Sequence, residues 1–246
     1  MESEVQTEVA AATAGEGQIP MLLRGSPQML RTWIDNWRWP RVLFCLAVIA
    51  TGAGLYGMAV GFWRSPRQAL FVSLKLPLIL FLTSAGNALL NSMLAPLLGL
   101  NLGLRQSFLA ILMSFTIASA ILGSFSPLAA FMIWNLPPLA SGGPTSMPTY
   151  TFIQLALVAM IAFAGSVANV RLIQLLHHIS GDIATARRVM FGWLAGNLFL
   201  GSQLAWILRP FIGSPDLPVA FLRPTAFKGN FYETVFHSVL RIFQIE

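Results

Sequence analysis

The amino-acid sequence predicts an all-α fold: a polytopic membrane helix bundle of about five transmembrane helices, with amphipathic interfacial segments at both ends. Of its 246 residues, 56% are hydrophobic and only 10% are charged, and the mean hydropathy is +0.70. A soluble domain averages about 25% charged residues, so lipid is the expected solvent. Five apolar segments each approach or exceed the ~20 residues that a helix needs to cross a bilayer. None of these segments contains Asp, Glu, Lys or Arg.

Residues 1–20 are predicted to form a disordered acidic tail. They combine four glutamates with small residues and no aromatic side chain, a composition that buries too little apolar surface to fold. They also lack the basic start and apolar centre of a secretory signal peptide. The first membrane helix is therefore expected to act as an uncleaved anchor.

Residues 21–40 are predicted to form an amphipathic segment that lies in the membrane interface. Ser26 can cap a helix, and Pro27 suits its first turn. Trp33 and Trp37 follow helical spacing, and indole rings favour the headgroup level of a bilayer. A helix packed on a partner protein is the alternative interpretation.

The transmembrane bundle is predicted to occupy residues 41–210. Its five apolar segments are 42–62, 76–98, 108–134, 150–170 and 189–208. The second segment is the least regular, since Lys75 and Pro77 stand at its start and Pro96 near its end. A re-entrant helix is an alternative there, because broken helices are tolerated where protein or water surrounds them. It would invert the topology downstream.

The basic residues predict the orientation. Eight arginines fall on the side of the N-terminus: Arg24, Arg31, Arg38, Arg41, Arg105, Arg171, Arg187 and Arg188. Seven cations fall on the other side, so the totals decide little. The third loop, NLPPLASGGPTSMP, carries no charge, as expected of a translocated loop. The sequence therefore predicts a multi-pass membrane protein with its N-terminus in the cytoplasm and its C-terminus outside.

Polar side chains interrupt the second and fifth membrane helices. Thr83, Asn87 and Asn91 are spaced by four residues, so they share one helix face, and the fifth helix offers Asn197 and Gln203. Interhelical hydrogen bonding is the first interpretation, typically worth about 0.6–2 kcal/mol per contact. The wall of a polar substrate pathway is the second. Ion-coupled transporters commonly place an ionisable group at such depth, and none accompanies these amides.

Small residues in two helices predict close packing. Gly192 and Gly196 of the fifth helix are four residues apart, a spacing that lets two helices approach closely. The first helix carries similar residues: Gly52, Gly54, Gly57 and Gly61. The close contacts could lie within the bundle or between protomers.

No motif indicates catalysis, cofactor binding or a firm metal site. The single cysteine, Cys45, excludes an intrachain disulfide. His177 and His178 are adjacent and point about 100° apart on a helix, so a weak metal site with Asp182 is less favoured than a solvated loop. The chain lacks a phosphate-binding loop, a nucleophile elbow and HExxH. The sequence therefore predicts a protein that is not an enzyme and uses no cofactor or metal.

The sequence also predicts no nucleic-acid partner. Its net charge of +6 is scattered over helix ends, whereas a nucleic-acid-binding surface is a basic stripe with interleaved aromatic residues.

The fifth helix is predicted to end at a proline break. Arg209 can extend to the membrane surface with its stem beside Trp206, and Pro210 forces Arg209 toward an extended backbone. Phe211 then begins an extramembrane tail, 211–246, with an amphipathic helix near its end. We expect the Arg-Pro-Phe stretch to direct this tail back along the bundle, where it docks.

The tail motif SQLAWILRPFIGSP, followed by FLRP and NFYE, resembles a signature of uncharacterised bacterial inner-membrane proteins of similar length. That resemblance covers about residues 40–240 and implies no activity. The five-helix plan is similar to the Yip1-like membrane proteins at the level of architecture alone, and this would imply an adaptor or trafficking role.

These observations together predict a non-enzymatic integral membrane subunit that scaffolds or anchors a multiprotein complex. Its expected partners are the lipid bilayer and either other membrane protein subunits or a second copy of the chain. The alternative is a small permease or channel subunit that uses the polar face of the second transmembrane helix.

Overall fold

The computed structural model describes residues 17–136, 147–212 and 218–233, and within these ranges the chain is helical without a β-strand. The described helices are α1 Gln18–Arg24, α2 Pro27–Asp35, α3 Trp39–Phe62, α4 Pro66–Leu97, α5 Leu104–Trp134, α6 Met147–Ser180 and α7 Ile183–Leu208. Five of them, α3 to α7, are long and apolar enough to cross a membrane. The predicted all-α, multi-pass membrane fold is therefore confirmed. Most of the predicted acidic tail and the terminal amphipathic stretch lie outside the described residues.

The membrane helices extend further than the hydropathy of the sequence predicts. α4 begins at Pro66 rather than at residue 76, and it runs unbroken through Pro77, so it is a continuous helix and not a re-entrant one. The Ser65 hydroxyl caps its start by accepting a hydrogen bond from the backbone N–H of Gln68, at 3.1 Å. α6 runs on to Ser180, so the exposed His177 and His178 belong to its last turn and not to a loop.

α5 is the central helix of the bundle, because it packs against α3, α4 and α6. α3 also packs against α4, and α7 packs against α4 and α6. Glycines bring α3 into backbone contact with both of its neighbours. A Cβ at Gly52 would overlap the carbonyl of Ser119 on α5, and one at Gly57 would lie 2.6 Å from the carbonyl oxygen of Val72 on α4. The small residues of α3 therefore mediate packing within the chain.

Two apolar cores lie at opposite ends of the bundle. The core nearer the N-terminus includes Trp33, Cys45 and Trp193, all fully buried. The second core surrounds Tyr56 at the far end of α3. The Tyr56 hydroxyl donates a hydrogen bond of 2.7 Å to the carbonyl of Leu157 on α6, which satisfies the one polar atom of that buried side chain.

The amphipathic segment folds onto the bundle, and this corrects the position expected for Trp33. Its indole is buried in the first core together with Leu30 and Ile34, and is not presented to the headgroup layer. Trp37 is half-buried and packs edge-on against Trp39, with ring centroids 5.7 Å apart. The apolar face of α2 therefore covers the end of the first core.

Two arginines join this segment to the membrane helices by donating hydrogen bonds to the carbonyls at helix ends. Arg41 of α3 donates to the carbonyls of Trp33 and Asn36 at the end of α2, at 2.7 and 2.9 Å. Arg171 of α6 donates to the Leu22 carbonyl near the end of α1, at 3.3 Å. The last carbonyls of a helix have no partner within the helix, so these arginines stabilise both ends.

We expect Gly52→Ala to destabilise the bundle and Gly165→Ala to leave it unchanged or more stable. Both glycines lie inside membrane helices, but a Cβ at Gly165 has no neighbouring atom within 4 Å. Overpacking at Gly52 should lower the free energy of unfolding by about 1–3 kcal/mol, whereas alanine at Gly165 gains helix propensity. Thermal unfolding of both variants in the same detergent measures the difference. Equal unfolding temperatures would contradict the close contact between α3 and α5.

Candidate functional site

The predicted polar residues meet at the contact between α4 and α7, which we name the amide seam: Thr83, Asn87 and Asn91 of α4 with Asn197 of α7. The three α4 side chains are at most 3% exposed. The two helices run antiparallel, since Gly201 of α7 faces Thr83 and Gly192 faces Leu98. The periodicity of the sequence thus places three of the predicted site residues on a buried face of α4.

At the centre of the seam, a direct hydrogen bond joins the two helices next to a glycine of α7. The Asn87 side-chain N–H donates to Oδ1 of Asn197. A Cβ at Gly196 would lie 2.6 Å from Oδ1 of Asn87, so a larger residue there would force the amide to shift. Gly192 is in looser contact, with its Cβ position 3.4 Å from the Leu98 side chain. Gly196 and the two asparagines therefore form one packing unit, which matches the interhelical interpretation.

Several polar atoms of the seam have no hydrogen-bond partner among the described residues. These are Oγ1 of Thr83, Oδ1 of Asn87 and both side-chain polar atoms of Asn91. A buried amide without partners is costly, so Asn91 needs water or another polar group. Gln203, half-buried further along α7, likewise makes no hydrogen bond to the described part of the chain. The seam contains no titratable side chain and so offers no group for proton transfer.

The seam hydrogen bond should appear as a coupling energy between its two asparagines. In a double-mutant cycle, Asn87→Ala and Asn197→Ala should be coupled by about 0.6–2 kcal/mol, because either change removes the same bond. Unfolding of the four proteins in detergent measures this energy. The matched control pairs Asn87→Ala with Asn169→Ala, whose α6 position is outside the seam and should give additive effects. Additivity in both cycles would show that the bond does not contribute.

A second group of polar contacts lies beyond the end of α7, in what we name the C-terminal strap: residues 209–212 and 218–233. α7 ends at Leu208, and Arg209 has an extended backbone, with φ −57° and ψ 154°. The Arg209–Pro210 peptide bond is cis. Proline lacks an N–H and cannot continue the ladder of helical hydrogen bonds, so the chain turns away from the helix axis at this point.

Two side chains at the start of α4 hold the beginning of the strap. The Gln68 amide donates to the carbonyls of Pro210 and Phe211, both at 2.9 Å, and the Lys75 ammonium donates to the Pro210 carbonyl at 3.2 Å. Both donor side chains are fully buried. Hydropathy puts Lys75 at the start of the second apolar segment and gives no indication of a role for Gln68. Their spacing of seven residues, two helical turns on one face, was the available signal.

The rest of the strap runs back along the bundle. Phe221 packs edge-on against Phe71 of α4, with ring centroids 5.6 Å apart, and Tyr232 stacks on Phe199 of α7 at 5.7 Å. The Tyr232 hydroxyl accepts a hydrogen bond of 2.9 Å from Ser202. Six residues separate Ser202 from the end of α7 at Leu208, which corresponds to about 9 Å of helix. The strap therefore covers the outer part of α7.

Arg209 stacks on the preceding turn of α7, directly beyond the last residue of that helix. Its guanidinium carbon lies 3.3 Å from the centre of the Trp206 ring, and Nη1 donates to the Trp206 carbonyl at 3.2 Å. Burial, and second the nearby charge of Arg223, lower the pKa of Arg209. An arginine nevertheless stays protonated in proteins. The indole N–H of Trp206 is buried and has no acceptor among the described residues.

The residues considered for a metal site do not converge. Asp182 caps the start of α7, accepting hydrogen bonds from the backbone N–H groups of Ala184 and Thr185. The Thr185 hydroxyl, followed by these backbone bonds, lowers the pKa of the Asp182 carboxyl. In the described part of the chain no three His, Cys, Asp or Glu residues group together closely enough to hold a metal ion.

No family model, curated protein or solved structure matches this chain. The resemblance of the tail motif therefore remains a prediction.

Removing the Gln68 amide should release the strap. Gln68→Leu leaves the Phe211 carbonyl without its donor and the Pro210 carbonyl with Lys75 alone, which should cost about 1 kcal/mol or more in net hydrogen bonding. Trypsin should therefore cleave after the exposed Lys228 about five- to tenfold faster, since the cleavable open state becomes more populated. Gln203→Leu is the matched control, because its amide makes no described bond. If both variants are cleaved at the wild-type rate, Gln68 does not hold the strap.

Proposed function

We propose that the protein is a non-enzymatic integral membrane subunit that scaffolds or anchors a multiprotein complex in a bacterial cytoplasmic membrane, with its N-terminus in the cytoplasm. The main support for this proposal is that the rest of the chain covers little of α7. Only 11% of its apolar window is buried, against 50% for α3 and 56% for α5. A helix so weakly covered by its own chain is a natural contact for another subunit.

The chemistry of α7 supports a protein partner in addition to lipid. Its uncovered face combines large apolar residues, Phe191 and Leu194, with the small Ala195, and small residues favour close helix contacts in membranes. Gln203 adds an amide at membrane depth whose hydrogen bonds the described residues do not supply. In lipid such a group gains from a partner helix that can pair with it.

The amide seam favours this function over the permease alternative. A substrate pathway needs polar groups that face an open route. Here Asn87 is hydrogen-bonded to Asn197, and α7 approaches Asn87 closely at Gly196. The unpartnered Asn91 is the observation that favours the alternative, because a buried polar atom can bind water or a small solute. The contact between Asn87, Asn197 and Gly196 is the observation that supports the packing interpretation.

Purification with partners tests the proposal. We expect tagged protein, extracted in a mild detergent, to bring down a stable heteromeric complex identified by mass spectrometry. The double variant Phe191→Ala and Leu194→Ala should lose most of that complex, since it removes the large side chains from the uncovered face of α7. Phe152→Ala with Leu155→Ala is the matched control, because it removes the same residue types, also exposed, from α6.

Two results would contradict the scaffold. One is equal recovery of partners with the α7 and α6 variants. The other is a protein that purifies without partners and, in liposomes, supports solute flux that Asn91→Leu abolishes while the fold survives. The second result would establish the permease in its place.

A further inference from the structure

The strap brings three cations together at one end of the bundle. Lys75 contacts the Pro210 carbonyl, next to Arg209, and its ammonium lies 5.3 Å from the centre of the Phe221 ring, two residues before Arg223. Arg223 is close enough for its charge to act on both Lys75 and Arg209. Arg209 and Arg223 are each partly exposed, whereas Lys75 is fully buried behind them.

No described carboxylate neutralises this cluster. Among the described residues, Asp35 pairs with Arg31, and Asp182 caps α7 at the opposite end of that helix. Glu233 lies in the strap, where its backbone N–H and carboxylate bond to the Asn230 side chain, and it forms no described ion pair with the three cations. Three like charges held together by the fold repel one another, so an anion from outside the described chain would stabilise them.

The two exposed members of the cluster have the chemistry of a phosphate site. A guanidinium presents a planar fork of N–H donors that binds phosphate oxygens in pairs. Arg209 and Arg223 supply two such forks, and the Trp206 indole beside Arg209 has an N–H without a described acceptor. Lys75 is too buried to touch a ligand, but its charge adds to the attraction. The repeated Leu-Arg-Pro triplets, 208–210 and 222–224, are the sequence signature of this arrangement.

The position of the cluster indicates where the phosphate comes from. Arg209 directly follows the last residue of the α7 span, at the depth of the headgroup layer. From this level inward, α4 exposes an apolar row with one residue per turn: Leu70, Leu74, Leu78 and Leu82. Such a row suits an acyl chain lying along the helix.

We infer that Arg209 and Arg223, supported by the buried Lys75, form a binding site for a phosphate group carried by an acidic phospholipid. This site is independent of any protein partner on α7. It gives the strap a lipid ligand as well as intramolecular contacts.

Thermal unfolding and native mass spectrometry of the purified full chain in an uncharged detergent test the site. Phosphatidylglycerol should raise the unfolding temperature and remain bound at low stoichiometry, and zwitterionic phosphatidylcholine should do so far less. Arg209→Gln with Arg223→Gln should weaken phosphatidylglycerol binding by at least about tenfold, as expected for lost charge-assisted bonds. Arg187→Gln with Arg188→Gln is the matched control, with the same change in charge at the other end of α7.

A second variant tests the site if the protein with Arg209→Gln and Arg223→Gln does not fold. Arg209→Lys with Arg223→Lys preserves both charges but removes the planar forks, and should weaken binding about threefold or more. Inorganic phosphate and glycerol 3-phosphate are added separately. Stabilisation by these soluble anions equal to that by phosphatidylglycerol would assign the phosphate site to a free anion. Equal binding of both lipids, an equal loss in the Arg187 and Arg188 variant, or unchanged binding by the lysine pair would overturn the site.

Discussion

The bundle depends on donors that reach the open carbonyls where its helices end. The last carbonyls of a helix lack partners within the helix, and an unpaired one is costly in a membrane. In this chain the missing partners come from other helices. Arg41 serves the end of α2, Arg171 the end of α1, and Gln68 with Lys75 the carbonyls just beyond α7. The same side chains therefore set where α1, α2 and the strap lie on the bundle.

This constraint explains which parts of the fold the sequence could predict. Five spans follow from hydropathy, because lipid-facing length and composition leave little choice. The helix ends do not follow, since hydropathy treats Gln68, Lys75 and Arg171 as loop residues although they are paired inside the helical bundle. The position expected for the Trp33 indole was wrong for a related reason. The amphipathic pattern of α2 shows that one face must be covered, but the covering surface is the core and not the headgroup layer.

The amide seam, too, could be predicted from the sequence only in part. The four-residue spacing of Thr83, Asn87 and Asn91 correctly places them on one face, because helical geometry alone decides that. The pairing of Asn87 with Asn197, and the need for Gly196 beside them, depends on which helices become neighbours. A single sequence gives no information about that choice. The cluster of Lys75, Arg209 and Arg223 was equally beyond prediction, because its members are far apart along the chain.

The long distance along the chain between the start of α4 and the strap sets an order of events during synthesis. Lys75 and Gln68 precede their acceptor carbonyl at Pro210 by 135 and 142 residues. At ~5–20 residues per second, roughly 7–28 s pass before the ribosome has made that acceptor. Until then, a lysine at the head of α4 gains from staying near the membrane surface, where water can solvate it. We therefore expect the first turns of α4 to reach their final packing only after the last helix and the strap have been made, so that the second span is completed together with the end of the chain.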